Sequence, residues 1–325
     1  MHRKMDVVSL RGDSSHCAMK VLFDAETELA DFYGGRLIVP NLEWRSWFFR
    51  NNRIARNIRQ FIPSIGQKLL PDVGLRVFLF FMGPHHQFDE LLCDPRRKTW
   101  VYLFDVWEPA WPAIETWMRT WSNIGCVWFA SSQAADHFHP RVPFPVAWLA
   151  QAADSTEFVT QDIASFQARN NTVFNIGRSH GVLTEFFKNF SSRHHLTYLH
   201  EISDGQTLFE RRSDWIANLC RSKIVVVHPR NLSHPNVTGS VSMLTARYFE
   251  AYNSGAIVCG LKPTSGEFDR VLQGFPFIVY RDAESFEREL LAALADPSPW
   301  QTARKRIRRE HNWQARLAHI TTELV

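Results

Sequence analysis

MLTARYFEAYNSGAIVCGLKP, from Met243 to Pro263, reads as a helix, a glycine stop at Gly255 and then a buried strand. Arg247 and Glu250 stand three residues apart in the helical part. Helical geometry puts them one turn apart on one face, with Tyr248 and Phe249 on others. Glu250 is followed by the small residues Ala251, Ser254 and Gly255, which let the helix approach the strand closely. On the residues alone two readings stay open. The pair is a simple i,i+3 ion pair, or the carboxylate lies near a strand end and accepts the hydroxyls of a ribose, as in dinucleotide-binding domains.

Outward from this segment, strand and helix patterns alternate. NTVFNIG (171–177) is a strand ending in glycine, VLTEFFKNF a helix, LTYLHEI a strand, RSDWIANLCRS a helix and KIVVVHP a strand. VSMLTARYFEAYNSG reads as one helix, AIVCGL as a strand, EFDRVLQ as a helix, PFIVY as a strand, AESFERELLAALA as a helix, and 300–323 as one last long helix. The first half repeats the scheme with strands at RLIVP (36–40), RVFLFFMG (76–83), TWVYLFDV (99–106), CVWFASS (126–132) and VAWLAQ (146–151), and with helices near AIETWMRTW and QAADHF. Such alternation means βαβ units and mostly parallel sheets. The expected fold class is α/β, with one Rossmann-like domain over 1–151, a second over 152–325, a linker near Ala152–Ala168, and a cleft between the domains. Open parallel sheets bind ligands at the carboxyl ends of their strands, so the chemistry belongs in the loops that follow them.

Bulk properties fit two soluble domains: 325 residues, 45% hydrophobic and 22% charged. A net charge of +4 is too weak to argue for nucleic acid, which is not expected as a partner. A local basic helix, FFRNNRIARNIRQFI, carries Arg50, Arg53, Arg56 and Arg59, and reads as a solvated face or as a contact for anionic lipid or an anionic acceptor. Five cysteines without a CxxC pair suit reduced cytosolic thiols. The N-terminus lacks the apolar core of a signal peptide. The apolar runs VFLFFM and IVVV fall far short of the roughly 20 residues that cross a bilayer. The expected location is cytoplasmic, with any membrane contact peripheral. The 25 Phe and 12 Trp read chiefly as an aromatic core, and otherwise as an aromatic-rich cleft before residue 150.

Several loops are candidates for chemistry. In NIGRSHG, Gly177 ends a strand, and Arg178 and Ser179 precede a helix, a setting that suits a phosphate. The strand KIVVV ends in His228-Pro229 and runs into a long polar loop. No carboxylate or cysteine joins His228 and His234 at metal spacing, so no metal is expected. In YLFDVWEPAW, Asp105 and Glu108 follow a buried strand and are flanked by Trp107 and Trp111, a combination that can hold a sugar and assist proton transfer from an acceptor hydroxyl. His85 and His86 in GPHHQFDE are a second candidate there.

From about residue 126 onward the sequence resembles GT-B glycosyltransferases of the retaining "glycosyl transferases group 1" type, closest to the spore-maturation-protein-like branch. The motifs occur in order. VWFASSQAADHF is similar to the strand-plus-serine segment, and VAWLAQAADSTEF to the linker signature, through Leu149, Ala153, Asp154 and Phe158. VFNIGR, RSKIVVVHP, ARYFEAYNSGAIVCG and HNWQARLAHI are similar to the phosphate loop, the Ser-Lys-Ile strand, the Arg-x-Phe-Glu-Ala signature and the closing helix. The resemblance implies two facing Rossmann-like domains and a nucleotide-diphosphate-sugar donor in the C-terminal one. Glu250 would hold the donor ribose, and Gly177, Arg178 and Ser179 would lie by the diphosphate. Arg247 would be a diphosphate contact or a clamp on Glu250, with His228 and Tyr248 completing the donor set. The last helix would pack back on the N-terminal domain. There is one departure: many relatives carry a second, sugar-contacting glutamate eight residues before the ribose one, and Ser242 stands there, with Glu267 as a spare carboxylate.

The expectation is therefore sugar transfer to an acceptor hydroxyl, retaining and metal-independent, without a cofactor, in cell-surface glycan or glycoconjugate synthesis. Asp105 and Glu108 are the catalytic candidates. The acceptor would be a glycan, a lipid-linked molecule or a small molecule, and the enzyme could touch an anionic membrane at its inner face. The alternative is a two-domain protein that binds a nucleotide sugar without turning it over.

Overall fold

The computed structural model describes residues 6–9, 20–38, 75–81, 97–120, 123–154, 156–159, 165–203 and 206–323. The basic stretch with Arg50, Arg53, Arg56 and Arg59 lies outside these residues, as do His85 and His86. The chain divides into two compact units, Met1–Ala150 and Gln151–Val325.

In the first unit six strands form one sheet: β1 (Asp6–Val8), β2 (Leu37–Ile38), β3 (Leu75–Phe81), β4 (Arg97–Leu103), β5 (Ile124–Phe129) and β6 (Val146–Trp148). Their order is β2-β1-β3-β4-β5-β6, all parallel. Parallel strands covered on both faces read as continuous apolar runs, and Val101, Tyr102 and Leu103 of β4 are all buried. Helices α1 (Lys20–Tyr33), α2 (Trp111–Thr120) and α3 (Ser132–Phe138) accompany the sheet. Ile114, Trp117 and Met118 of α2 and Phe138 of α3 share a core with Val101, Leu103, Val127 and Phe129. Trp100, Trp107, Trp117 and Trp128 are buried, so these tryptophans pack the interior. The sequence reading did not assign β1 or α1. A three-residue strand shows no period of its own and exists through its pairing with β2 and β3.

In the second unit β7 (Asn170–Asn175), β8 (Thr197–His200), β11 (Ser222–Val227), β12 (Ile257–Gly260) and β13 (Ile278–Val279) form a parallel sheet of order β13-β12-β11-β7-β8. A small hairpin, β9 (Ile202–Ser203) and β10 (Gln206–Thr207), stands apart. The helices are α4 (Thr156–Val159), α5 (Gly181–Arg193), α6 (Arg212–Arg221), α7 (Pro235–Thr238), α8 (Ala246–Ser254), α9 (Glu267–Val271), α10 (Ala283–Ala295), α11 (Ser298–Glu310) and α12 (Trp313–Glu323). Ile224–Val227 of β11 are buried against Phe186, Phe187 and Phe190 of α5, Trp215 and Leu219 of α6, and Phe249 and Tyr252 of α8, in one core. The chain winds outward both ways from β7 and β11. This reversal is the topological switch point where such sheets bind ligands.

Two helices differ from the sequence reading. The helix before β12 begins at Ala246, and 241–245 is irregular. Side chains from elsewhere hold that backbone: Glu267 Oε2 accepts the Leu244 N–H (2.6 Å), and Gln151 Oε1 accepts the Ala246 N–H (2.7 Å). The final helix is two helices, α11 and α12. Asn312 restarts the second one, its Oδ1 accepting the Ala315 N–H at 2.8 Å. At its other end α8 stops at Gly255, whose φ of +71° favours glycine. Arg169 and Arg304 donate to the Ser254 and Asn253 carbonyls there (2.9 and 3.1 Å), where the helix dipole favours cations.

His311 sits at the break between α11 and α12. Its Nδ1 accepts from Arg316 Nη2 at 2.9 Å, and Phe249 and Phe275 lie beside the ring. Burial first, and the Arg316 charge second, push its pKa down to about 4. The unfolded chain takes up this proton near pH 6.5, well before the folded one does. The stability from neutral His311 is therefore full above about pH 6.5 and is lost as pH falls toward 4. The melting temperature of His311→Gln should fall less than that of the wild type between pH 7 and pH 4.5. Parallel curves would contradict this assignment.

Candidate nucleotide-binding site

The loops at the switch point converge. The Ile176 N–H continues the ladder to the Val226 carbonyl (3.0 Å), and the chain then turns at Gly177, whose φ of +86° suits only glycine. Just past β8, the Glu201 N–H pairs with the Asn175 carbonyl (3.0 Å). That register brings its carboxylate back over the Gly177 turn. Glu201 Oε2 accepts the Gly177 N–H at 2.6 Å and forms a short ion pair with Arg247 Nη1. Arg247 lies across Gly177: a β-carbon there would be 3.8 Å from its Nε.

Arg247 and Glu250 do share a face of α8, yet they do not form the i,i+3 ion pair. Each is drawn to a different element. Glu250, 2% exposed, receives Arg212 Nη2 from the start of α6 at 2.5 Å. The same guanidinium reaches Glu157 Oε2 (3.2 Å) and lies 4.5 Å from the Trp215 ring centre. The result is a line of alternating charge: Glu157, Arg212, Glu250, Arg247, Glu201. Burial by itself would depress both guanidinium pKa values. Glu250 and Glu157 around Arg212, and Glu201 and Glu250 around Arg247, more than offset it and raise them.

Not all of the polar capacity is used. Arg212 occupies Glu250 Oε1, and among the described residues nothing hydrogen-bonds Oε2. Arg178 and Ser179 are exposed ahead of α5, and among the described residues the Arg178 guanidinium makes no ion pair. His228 Nε2 donates to the Arg178 carbonyl at 2.8 Å, tying the loop after β11 to the loop after β7. His180 (5.6 Å from the His228 ring) and His200 stand close by. Burial lowers the pKa of all three imidazoles, which favours their neutral, hydrogen-bonding form.

Tyr248 does not join this group. It is fully buried in the core and its hydroxyl donates to the Leu261 carbonyl (2.7 Å), because the helical turn that presents Arg247 and Glu250 rotates Tyr248 inward. Ser242 is also buried; its Oγ accepts the Thr264 N–H at 3.0 Å. Glu267 is buried too and holds the Leu244 backbone, so it serves the 241–246 segment.

In the first unit, Asp105 and Glu108 follow β4 as expected, both half-buried, with Glu108 opening a one-turn 3₁₀ helix. Trp107 is buried, and half-buried Trp111 stacks on His137, ring centres 4.1 Å apart. Among the described residues no three His, Cys, Asp or Glu side chains are placed to hold a metal ion. No helix among them is long and apolar enough to cross a membrane.

The sequence reading missed Arg212, Glu157 and Glu201. One signal was available. Arg212 and Arg247 both stand in the first turn of a helix, where the dipole disfavours cations. Such residues need carboxylate partners, which here come from other elements of the second unit. Arg212→Met leaves Glu157 and Glu250 facing each other without a cation, and it should cost about 3–5 kcal/mol by denaturant titration. Glu250→Gln keeps an acceptor for Arg212 and should cost less. The double variant should recover part of the Arg212→Met loss; strict additivity would show the pair to be uncoupled.

Residues 205–322 match the glycosyl transferase-like family. No curated protein matches the sequence. Among solved structures, an α-glucosyltransferase in complex with UDP and a mismatch-containing DNA aligns with a TM-score of 0.63 at 10% identity, over 98% of each chain. A glycosyltransferase from Rickettsia africae aligns with a TM-score of 0.52 at 10% identity, over 98% of this chain and 97% of that one. A protein from Listeria monocytogenes assigned as a UDP-N-acetylglucosamine 2-epimerase aligns with a TM-score of 0.52 at 11% identity, over 99% and 96%. These likenesses concern the fold. The chain has the two Rossmann-like domains of GT-B glycosyltransferases, and the segment that matches the glycosyl transferase-like family is the part of the second domain that carries Arg212, His228, Arg247 and Glu250.

Proposed function

We propose that the protein is a glycosyltransferase that moves a sugar from a nucleotide-diphosphate donor to an acceptor hydroxyl. The observation that carries this reading is the Glu250 carboxylate. It is fixed through one oxygen by Arg212, its other oxygen makes no hydrogen bond among the described residues, and it lies on the same helix as Arg247, whose guanidinium crosses the Gly177 turn. A carboxylate so placed suits two vicinal ribose hydroxyls, and guanidinium groups with a helix N-terminus suit a diphosphate.

As the glycosidic bond to phosphate breaks, negative charge grows on the leaving diphosphate. Arg178, Arg247, backbone N–H groups after β7 and the N-terminus of α5 stabilise that charge without needing a metal. Asp105 orients or deprotonates the acceptor hydroxyl, with Glu108 beside it. The resemblance to group 1 enzymes supports retention of configuration and a role in cell-surface glycan synthesis. With Ser242 in place of the usual glutamate, the sugar must be read by other groups. The basic stretch with Arg50, Arg53, Arg56 and Arg59, which lies outside the described residues, suits a lipid-linked or otherwise anionic acceptor at a membrane face on its sequence alone. The structurally similar α-glucosyltransferase was solved with UDP, which makes uracil the first base to test.

A thermal-shift screen with UDP-, GDP- and TDP-sugars should show stabilisation by sugars of one base. With the sugar identified, Asp105→Asn should lower kcat roughly 10²–10⁴-fold and leave donor affinity unchanged. Binding without sugar-nucleotide consumption on any acceptor would favour the non-catalytic alternative, and no binding at all would overturn the proposal.

A further inference from the structure

We infer that Glu201 is an internal anion standing where a phosphate of the donor goes, and that the incoming diphosphate displaces its carboxylate from Arg247 and the Gly177 N–H. The inference rests on the donor-site reading above and adds a residue that sets how tightly, and how selectively, the site takes a diphosphate.

The geometry is that of an occupied anion site. One oxygen, Glu201 Oε2, takes both the Gly177 N–H (2.6 Å) and Arg247 Nη1. These are the two groups that the loop after β7 and the start of α8 offer to a phosphate. A phosphate oxygen cannot take both donors while the carboxylate holds them, and two anions side by side repel. The pairing is also releasable. Among the described residues the second Glu201 oxygen makes no hydrogen bond, so the carboxylate holds the donors through one atom and not through a bidentate fork. The Arg247 side chain is 31% exposed against 7% for Glu201, so Arg247 is the more open partner of the pair. Arg178 stands exposed at the same turn as a first contact for an arriving anion.

The arrangement has a use in the empty site. Arg247 is repelled by Arg212 along the same line of charge. Glu201 is the carboxylate that meets the guanidinium over Gly177 and offsets that repulsion, with Glu250 as a second attraction on the same helix. Glu201 therefore holds the cation in register for the phosphate and competes with it. A ligand carrying a diphosphate can displace the carboxylate; an uncharged nucleoside cannot. Competition also loosens the diphosphate product, which aids its release.

The test is calorimetric titration of the wild type and of Glu201→Gln with UDP, GDP and TDP, each beside its own nucleoside. Glutamine still accepts the Gly177 N–H but carries no charge. For the preferred base, Glu201→Gln should bind the diphosphate about tenfold tighter, with nucleoside affinity and melting temperature little changed. Unchanged or weaker diphosphate binding in a folded Glu201→Gln would overturn the inference and leave the donor-site reading intact. No diphosphate binding by either protein would remove the donor-site reading, and the inference with it. A crystal structure of the wild type with the preferred diphosphate gives a readout independent of how the variant folds. The Glu201 carboxylate should be turned away from Arg247, and finding it still on both donors beside bound ligand would overturn the inference.

Discussion

The ion pair between Arg212 and Glu250 is the contact on which the site depends. Glu250 is almost fully buried on a helix packed into the core of the second unit. A buried carboxylate without a partner is costly. Arg212 removes that cost and fixes which carboxylate oxygen is left over. The same logic extends along the line. Arg212 carries Glu157 as a second partner, and Arg247, one turn before Glu250, is balanced by Glu201. Removing Arg212 leaves Glu157 and the buried Glu250 carboxylate without their cation. The intact line itself adds little net stability, because desolvation offsets most of the attraction. What it supplies is position: two cations and one half-used carboxylate held at fixed places around the Gly177 turn.

Parallel β topology is what lets these residues meet. Gly177, Glu201, His228, Arg247 and Glu250 are spread over more than seventy residues, yet the first three follow strands and the last two lie in the first half of the helix before the next strand. In a parallel sheet those positions gather toward one edge, and the reversal between β7 and β11 is where open sheets of this kind bind ligands. The backbone around the site is held by side chains that do not face it. Glu267 and Gln151 fix the segment before α8, while Tyr248 and Tyr252 anchor α8 through the Leu261 and Pro276 carbonyls. Ser242 belongs to the same supported segment, its Oγ accepting the Thr264 N–H.

Much of this could be read from the chain. KIVVV and AIVCG are short apolar runs that, alternating with helical patterns, read as buried parallel strands, and Gly177 and Gly255 mark where the chain must turn. Arg178 could be singled out because it follows Gly177, and Glu250 because it stands one turn from Arg247 in the helix that Gly255 stops. Tyr248 was misjudged because a residue flanking two polar neighbours on a helix points a third of a turn away, here into the core. Helix boundaries at 241–246 and 311–312 were missed because long-range hydrogen bonds and the Asn312 cap set them. The partners of Arg247 and Glu250 were missed for a related reason: helical spacing names the neighbours within a helix, whereas buried charges choose among all elements packed against it.

The central claim is that the unengaged oxygen of Glu250 reads the ribose of a nucleoside diphosphate. The direct measurement is calorimetric binding of the preferred nucleoside diphosphate and of its 2′,3′-dideoxy analogue to the wild type and to Glu250→Gln. Hydrogen bonds to a charged group contribute about 1.5–3 kcal/mol, so the wild type should lose roughly ten- to hundredfold in affinity for the dideoxy analogue. Glu250→Gln should discriminate far less. Equal discrimination by both proteins would contradict the account.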